Sequence, residues 1–309
     1  MSRPVRARRS ELATPASNEK MCTKAATSGA DLVFLDLEDA CAPVMKEAAR
    51  SIAVEALTNL DWGHTVRAVR VNGIDTLWCH DDIIEIVTGA RECVDVLIVP
   101  KARTARDVWW VDVLLTQLET KLQLEKRIGL EVLIEEAEGL GNAAEIARAS
   151  DRIEAIIFGA GDLSASLRAR VDGNFDPLGA YPGDFWHFAR LQVLTAARAA
   201  GVDAIDAPYP AYEDLDGYRR SATHASLLGF DGKWAIHPSQ IAVANEVFSP
   251  TPNEIADARA SITTYRDSEA RGIGAIGRDG RLVDAAHMRH AENVLHRASL
   301  NAPPDDERC

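Results

Sequence analysis

Eight short apolar runs, each followed by a stretch of helical periodicity, constrain this chain more than any other feature of it. The runs are Glu11-Leu12-Ala13, Leu32 to Leu35, Val66 to Val71, Val94 to Val99, Leu130 to Ile134, Ala155 to Phe158, Val202 to Ile205 and Trp234-Ala235-Ile236. Several are apolar throughout, as expected for parallel strands that helices cover. Between them the spacing turns helical. In Asp107 to Leu122, the residues Val108, Val111, Leu115, Leu118 and Leu122 recur at three- and four-residue steps and form one stripe. Eight consecutive βα units predict an α/β chain folded as a closed (β/α)₈ TIM barrel rather than an open doubly wound sheet. A dinucleotide-binding sheet would need a glycine-rich turn after its first strand. Here that turn reads Thr14-Pro15-Ala16-Ser17-Asn18, without a glycine.

The barrel is assigned to residues 1–250. Within it, Asp162 to Gly183 is long and rich in Gly, Pro and Asp, which predicts a loop over one mouth. After the eighth unit, Thr251-Pro252-Asn253-Glu254 supplies an N-cap, a first-turn proline and a capping-box glutamate. A glycine hinge at Arg271 to Ala275, a turn at Asp279-Gly280 and a last helix from about Asp284 complete a C-terminal helical extension over residues 251–309.

Charge narrows the function. Lys and Arg number 34 against 47 Asp and Glu, a net charge of −13, and that field repels nucleic acid. No apolar run approaches the roughly 20 residues that cross a bilayer, and the arginine-rich start lacks the apolar centre of a secretion signal. Five cysteines, odd in number and without a CxxC pair, argue against structural zinc and a disulfide framework. A reducing cytoplasm is the natural setting, and a small-molecule substrate the natural partner.

Barrel enzymes place their chemistry at the C-terminal strand ends. From the second strand to the eighth, every such end carries an ionisable group: Asp36-Leu37-Glu38-Asp39, Arg70-Val71-Asn72, Pro100-Lys101, Glu135-Glu136, Gly159-Ala160-Gly161-Asp162, Asp206 and His237. Glu135 and Asp162 follow neighbouring strands and can converge. Hard oxygen donors without a His-Cys cluster suit Mg²⁺, although each carboxylate could instead pair with an arginine or cap a helix. Arg70, inside an apolar strand, needs Asp36 or Glu38 as partner, serves as a fixed cation for a carboxylate or oxyanion, or does both. Lys101 is either a Schiff-base lysine or an ion-pair partner of the Asp36-Glu38-Asp39 cluster. His237 either donates to a ligand or supports its loop. His64, His80, His187, His224, His287, His290 and His296 show no ligand spacing.

Six ordered blocks carry a family resemblance: Val33 to Ala40, Arg70 to Gly73, Val99-Pro100-Lys101, Leu133-Ile134-Glu135, Gly159 to Leu163, and Lys233 to Pro238. In this order the chain resembles the citrate lyase β-subunit-like branch of the HpcH/HpaI aldolase superfamily. With Tyr181 to His187 and Asn245 to Phe248 it is most similar to malyl-CoA and β-methylmalyl-CoA lyases. The resemblance implies an Mg²⁺-dependent (or Mn²⁺-dependent) enzyme that cleaves or forms a C–C bond between an acyl-CoA and a 2-oxo acid such as glyoxylate. Malyl-CoA, β-methylmalyl-CoA and citramalyl-CoA are the substrate types it suggests.

By that resemblance, Glu135 and Asp162 hold the metal. Arg70 binds the acid or the enolate oxygen; Gly161, Ile236 and His237 line the substrate site; Lys24 contributes to CoA binding. Asp284 matches an acid/base donated from a neighbouring subunit's tail, which implies a homo-oligomer, a trimer or hexamer. Ala13 and Asn18 stand where relatives place an aromatic residue and an arginine, and Arg3, Arg6, Arg8 and Arg9 either substitute for them or form a solvated basic tail. The alternatives are a malyl-CoA thioesterase using the same site, a Schiff-base aldolase through Lys101, and a non-catalytic acyl-CoA-binding or citrate lyase β-like subunit.

Overall fold

Strands and helices alternate where the apolar runs and stripes place them. The computed structural model describes residues 3–278 and 281–300. Its strands β1 (Ser10–Pro15), β2 (Leu32–Asp36), β3 (Val66–Arg70), β4 (Val96–Val99), β5 (Gly129–Ile134), β6 (Ile153–Phe158), β7 (Asp203–Asp206) and β8 (Gly232–Ala235) form a closed barrel. All pair in parallel with their sequence neighbours, and β1 closes on β8. Every C-terminal end therefore opens at one mouth.

The helices are α1 (Glu19–Ala26), α2 (Lys46–Asn59), α3 (Cys79–Ala90), α4 (Ala105–Leu122), α5 (Ala137–Gly141), α6 (Ala143–Ile146), α7 (Ala160–Ser166), α8 (His187–Ala200), α9 (Leu215–Leu228) and α10 (Ile241–Val247). In α4 the Asp107 carboxylate accepts the Thr104 N–H at 2.9 Å, and the helix ends on Gln123 in the left-handed region. Its stripe Val108, Val111, Leu115 and Leu118 is buried, with Leu122 half-buried.

Strand alternation sorts side chains into two cores. Leu32, Phe34, Ala68, Ile98, Leu133, Ile157, Ile205 and Trp234 fill the lumen. Val33, Leu35, Val69, Leu97, Ile156 and Ala204, one residue out of phase, join the layer between barrel and helices. The segment expected to be loop from Asp162 onward begins instead as α7, because Leu163 is fully buried and recruits that turn into the outer layer. Beyond it an isolated bridge between Val171 and Pro177 pins the loop.

Contacts divide the described residues into two units, one of Arg8–Phe248 with residues 3–4, the other of Val5–Ala7 and the described residues from Ser249. In the second unit, α11 (Pro252–Glu269) opens on the reciprocal Thr251–Glu254 bonds that its sequence forecasts. The hairpin β9 (Ile276–Arg278) and β10 (Arg281–Val283) leads to α12 (Ala285–Leu300); the Asp279-Gly280 turn lies outside the described residues. Ala258, Ile262, Tyr265, Val283, Met288 and Ala291 give this unit its own small core. No helix among the described residues is long and apolar enough to cross a membrane.

Candidate active site

The inward phase of the strands continues to their tips. Phe34 and Ala68 face the lumen, so Asp36 and Arg70, two residues on, do too. Asp36 pairs with Arg70 in the β2–β3 register. Arg70 Nε donates to Asp36 Oδ1 at 2.8 Å and Nη2 to Oδ2 at 2.5 Å, while Nη1 lies 3.1 Å from Glu38 Oε2. The guanidinium sits over the rings of Phe34 and Trp234, 5.8 and 5.4 Å from their centroids. Burial works against both charges. It is outweighed, so that Arg70 is held above its ordinary pKa and Asp36, which also accepts the Glu38 and Ala40 N–H groups, below its own. Asp36 thus fixes a bidentate arginine at the barrel mouth.

Next to this pair lies a residue in an unusual conformation. Lys101 has φ +52°, a left-handed backbone that costs a non-glycine residue about 1 kcal/mol. In that conformation its N–H donates to Glu135 Oε1 at 3.0 Å. Its Nζ reaches Glu38 Oε1 at 2.5 Å, Asp39 Oδ1 at 3.3 Å and Asp162 Oδ2 at 3.9 Å. Burial depresses the Lys101 ammonium, but the hydrogen bond and charge of Glu38, backed by Asp39 and Asp162, raise it above the ordinary lysine range.

Glu135 is buried, and its Oε1 accepts the Lys101 N–H. Burial first, then the charges of Glu38 and Asp162, push its carboxyl well above the usual range against the pull of Arg70 and Lys101. Glycine at 159 makes room for it, since a Cβ there would fall 2.6 Å from Glu135 Cβ. Asp162 stands in the first turn of α7 with its side chain 38% exposed. The structure therefore gathers Asp36, Glu38, Asp39, Arg70, Lys101, Glu135 and Asp162 into one connected cluster. Among the described residues no three His, Cys, Asp or Glu side chains form a complete metal cage.

The remaining expected residues make contacts of their own. Gly161 packs beneath Phe175, whose ring is 3.1 Å from where a Cβ would be. Ile236 and His237 follow β8, and His237 caps the turn Pro238–Gln240 by accepting the Ser239 N–H while stacking on Tyr212. Lys24 is exposed in the last turn of α1, and Asn18 is committed as that helix's N-cap. In the second unit, Asp284 caps α12: its Oδ1 accepts the Ala286 N–H at 2.9 Å and lies 2.8 Å from His287 Nδ1. Those bonds hold its carboxyl below the usual range.

Two expectations are corrected. Asp206 is fully buried but points outward between barrel and helices, bonded to Arg190 at 2.8 Å and Lys233 at 2.6 Å, because Ile205 takes the inward phase. The arginines that lead into the barrel are not a fully solvated tail. Arg8 pairs with Glu131 and Glu154, Arg9 binds Asp31, and Arg3 binds backbone carbonyls of Asp151, Ala200 and Gly201, all at the strand N-terminal pole opposite the mouth. Arg6 belongs to the second unit.

Sequence reading also passed over Lys46, whose Nζ donates to Leu37 O, Glu38 O and Asn72 Oδ1 and so fixes the backbone that carries Glu38. Its position one turn before Arg50 on α2 was the available signal.

Fold and mouth together define the class: a (β/α)₈ barrel enzyme with its charged groups gathered at the C-terminal strand ends. Residues 9–238 match the HpcH/HpaI aldolase/citrate lyase family, and the chain belongs to it. It is 39% identical over 306 residues to the L-malyl-CoA/beta-methylmalyl-CoA lyase of Rhodobacter capsulatus, covering 96% of each chain. It is 36% identical to a (3S)-malyl-CoA thioesterase of Cereibacter sphaeroides, covering 95% of each. Among solved structures it is similar to the protein CitE from Mycobacterium tuberculosis in complex with magnesium, acetoacetate and coenzyme A. That match has a TM-score of 0.74 at 32% identity and covers 94% of this chain and 97% of that one.

Proposed function

We propose that this chain is a divalent-cation-dependent carbon–carbon lyase that cleaves or forms the bond between an acyl-CoA and a 2-oxo acid, of the malyl-CoA type. The reading is supported by Glu135 and Asp162 both lying against Lys101, close enough for the charge of Asp162 to act on Glu135, beside a fixed Arg70. Glu135 is a buried carboxylate, bonded at Oε1 by the Lys101 N–H and crowded by two further carboxylates. Such a group fits a hard cation, and Mg²⁺ is commonly held by one or two carboxylates with water and substrate oxygens filling the rest. Glu135 and Asp162 would hold it. When bound, the cation would supply Lewis-acid polarisation of the oxo acid's carbonyl.

The chain's own residues do the rest. Arg70, oriented by Asp36, presents its remaining N–H donors to the carboxylate or to the oxygen that gains charge as the C–C bond breaks. Glu38 restrains both Arg70 and Lys101 at the rim. Asp284, supplied from a neighbouring copy's tail, would take the α-proton of the acyl-CoA in condensation and return it after cleavage. Lys101 is unsuited to Schiff-base chemistry, since a nucleophilic amine must be neutral and its neighbours stabilise the charged form. The similarity to a thioesterase of nearly equal coverage supports a second reading, in which water takes the acyl group at this same mouth.

A panel of CoA thioesters assayed with Mg²⁺ separates the two. Glyoxylate or pyruvate release with free acyl-CoA supports the lyase; a free hydroxy acid with CoA supports the hydrolase. No EDTA-sensitive turnover of any thioester would reject both.

A further inference from the structure

We propose that Lys101 is a tethered counter-ion that competes with the divalent cation for the Asp162 carboxylate, and that Glu38 and Asp39 hold its ammonium off that carboxylate. The inference rests on the reading of Glu135 and Asp162 as metal ligands.

The geometry of a single residue suggests it. Lys101 Nζ lies in a fan of three carboxylates: 2.5 Å from Glu38, 3.3 Å from Asp39 and 3.9 Å from Asp162. It is hydrogen-bonded to the first two and only near the third. A lysine stem reaches across such a fan by rotation about its side-chain bonds, at little cost. The residue's left-handed backbone sends its N–H to Glu135 and its ammonium to the opposite side of the mouth. Strain of this kind persists where the surroundings over-determine it, often at functional sites. One residue thereby touches or faces both candidate metal ligands.

Charge balance points the same way. Asp36, Glu38, Asp39, Glu135 and Asp162 face two cations, Arg70 and Lys101, within the cluster. Arg70 is committed to Asp36 through two hydrogen bonds. Lys101 is therefore the cation able to redistribute. Without a divalent ion it can swing toward Asp162; with one it must stay parked on Glu38 and Asp39, because two cations on one half-exposed carboxylate repel each other.

The test is a double-mutant cycle read by calorimetric titration of Mg²⁺ into the full-length protein, with no turnover involved. Asp39 is more than half exposed, so Asp39→Asn leaves the fold in place. The expected result is that Asp39→Asn weakens Mg²⁺ binding about three- to fivefold, the scale of a partly exposed ion pair. Lys101→Met should tighten binding, and in its background the Asp39→Asn loss should shrink below about twofold. Lys101→Gln serves the same cycle if the methionine variant does not fold. An equal Asp39→Asn loss in both backgrounds makes Asp39 a remote charge only and overturns the proposal. Failure of the wild-type protein to bind Mg²⁺ at all overturns the metal reading and this proposal with it.

Discussion

A Cβ placed on Gly159 would lie 2.6 Å from Glu135 Cβ and 2.9 Å from its Oε2, so the tip of β6 is hollowed to admit the carboxylate of β5. Gly159→Ala should therefore displace Glu135 while leaving the barrel folded. Overpacking of this sort costs about 1–3 kcal/mol, and a displacement near 1 Å at reacting groups costs about 100-fold in rate. A thermal melt beside kcat/KM checks both: activity should fall far more than stability. Equal, small losses in both would show that Glu135 has no special placement to lose.

Arg70 offers a second test, because charge and shape can be separated there. Arg70→Lys keeps the cation but cannot reproduce the paired bonds to Asp36 or span Asp36 and Glu38 together. Loss of a fixed donor at a developing oxyanion lowers kcat about 10²- to 10³-fold. Arg70→Ala should add a stability loss of about 3–5 kcal/mol, since Asp36 would remain buried and unpaired. Kinetics and chemical denaturation of the two variants distinguish these effects; near-normal kcat in Arg70→Lys would remove Arg70 from the chemistry.

The barrel's lower pole predicts a pH-dependent stability. Glu11 is fully buried and raised from 4.5 to about 7 by burial, against the charge of Arg8 and the Trp234 N–H bond. The folded state thus holds a proton that the unfolded chain releases above about pH 4.5. Stability from this group is complete below that value and is lost as pH rises toward 7, on the order of 3 kcal/mol in all. Glu11→Gln keeps an acceptor for Trp234 and should flatten that slope. Urea midpoints measured from pH 4.5 to 8 decide it; parallel curves for wild type and variant would mean that Glu11 does not titrate there.

Asp284 should separate binding from turnover. Asp284→Asn retains the α12 cap, so metal and oxo-acid binding should persist while turnover drops at least about 100-fold. If the tail serves a neighbouring copy, mixing inactive Asp284→Asn with inactive Arg70→Lys should restore some activity, because mixed oligomers contain sites lacking neither group. No recovery after confirmed subunit exchange would place Asp284 elsewhere.

The architecture was legible because a barrel writes itself twice, once in eight apolar runs and again in the helical stripes between them. Val108, Val111, Leu115 and Leu118 need only local spacing to be read, and they are buried as that spacing predicts. The site was legible as far as residue type at strand ends goes. Asp206 shows where that reasoning stops: a strand end faces the mouth only in the inward phase, and counting back two residues at a time to the lumen excludes it. Asp36, Arg70 and Glu135 pass the same count. The long-range partners were not legible, since nothing local tells Lys101 to adopt φ +52° or Lys46 to reach three acceptors at the ends of β2 and β3. Nor does local sequence tell Arg8 to pair with Glu131 or Arg9 with Asp31 where the chain enters β1.

Glu135 and Asp162 are proposed to share one divalent ion. Titrating Mn²⁺ into wild type, Glu135→Gln and Asp162→Asn, and following the resonance of the free ion, measures this directly. One Mn²⁺ site per chain in the wild type, weakened about 100-fold or more in each variant, is the predicted result. Mn²⁺ binding with unchanged affinity in either variant would contradict it.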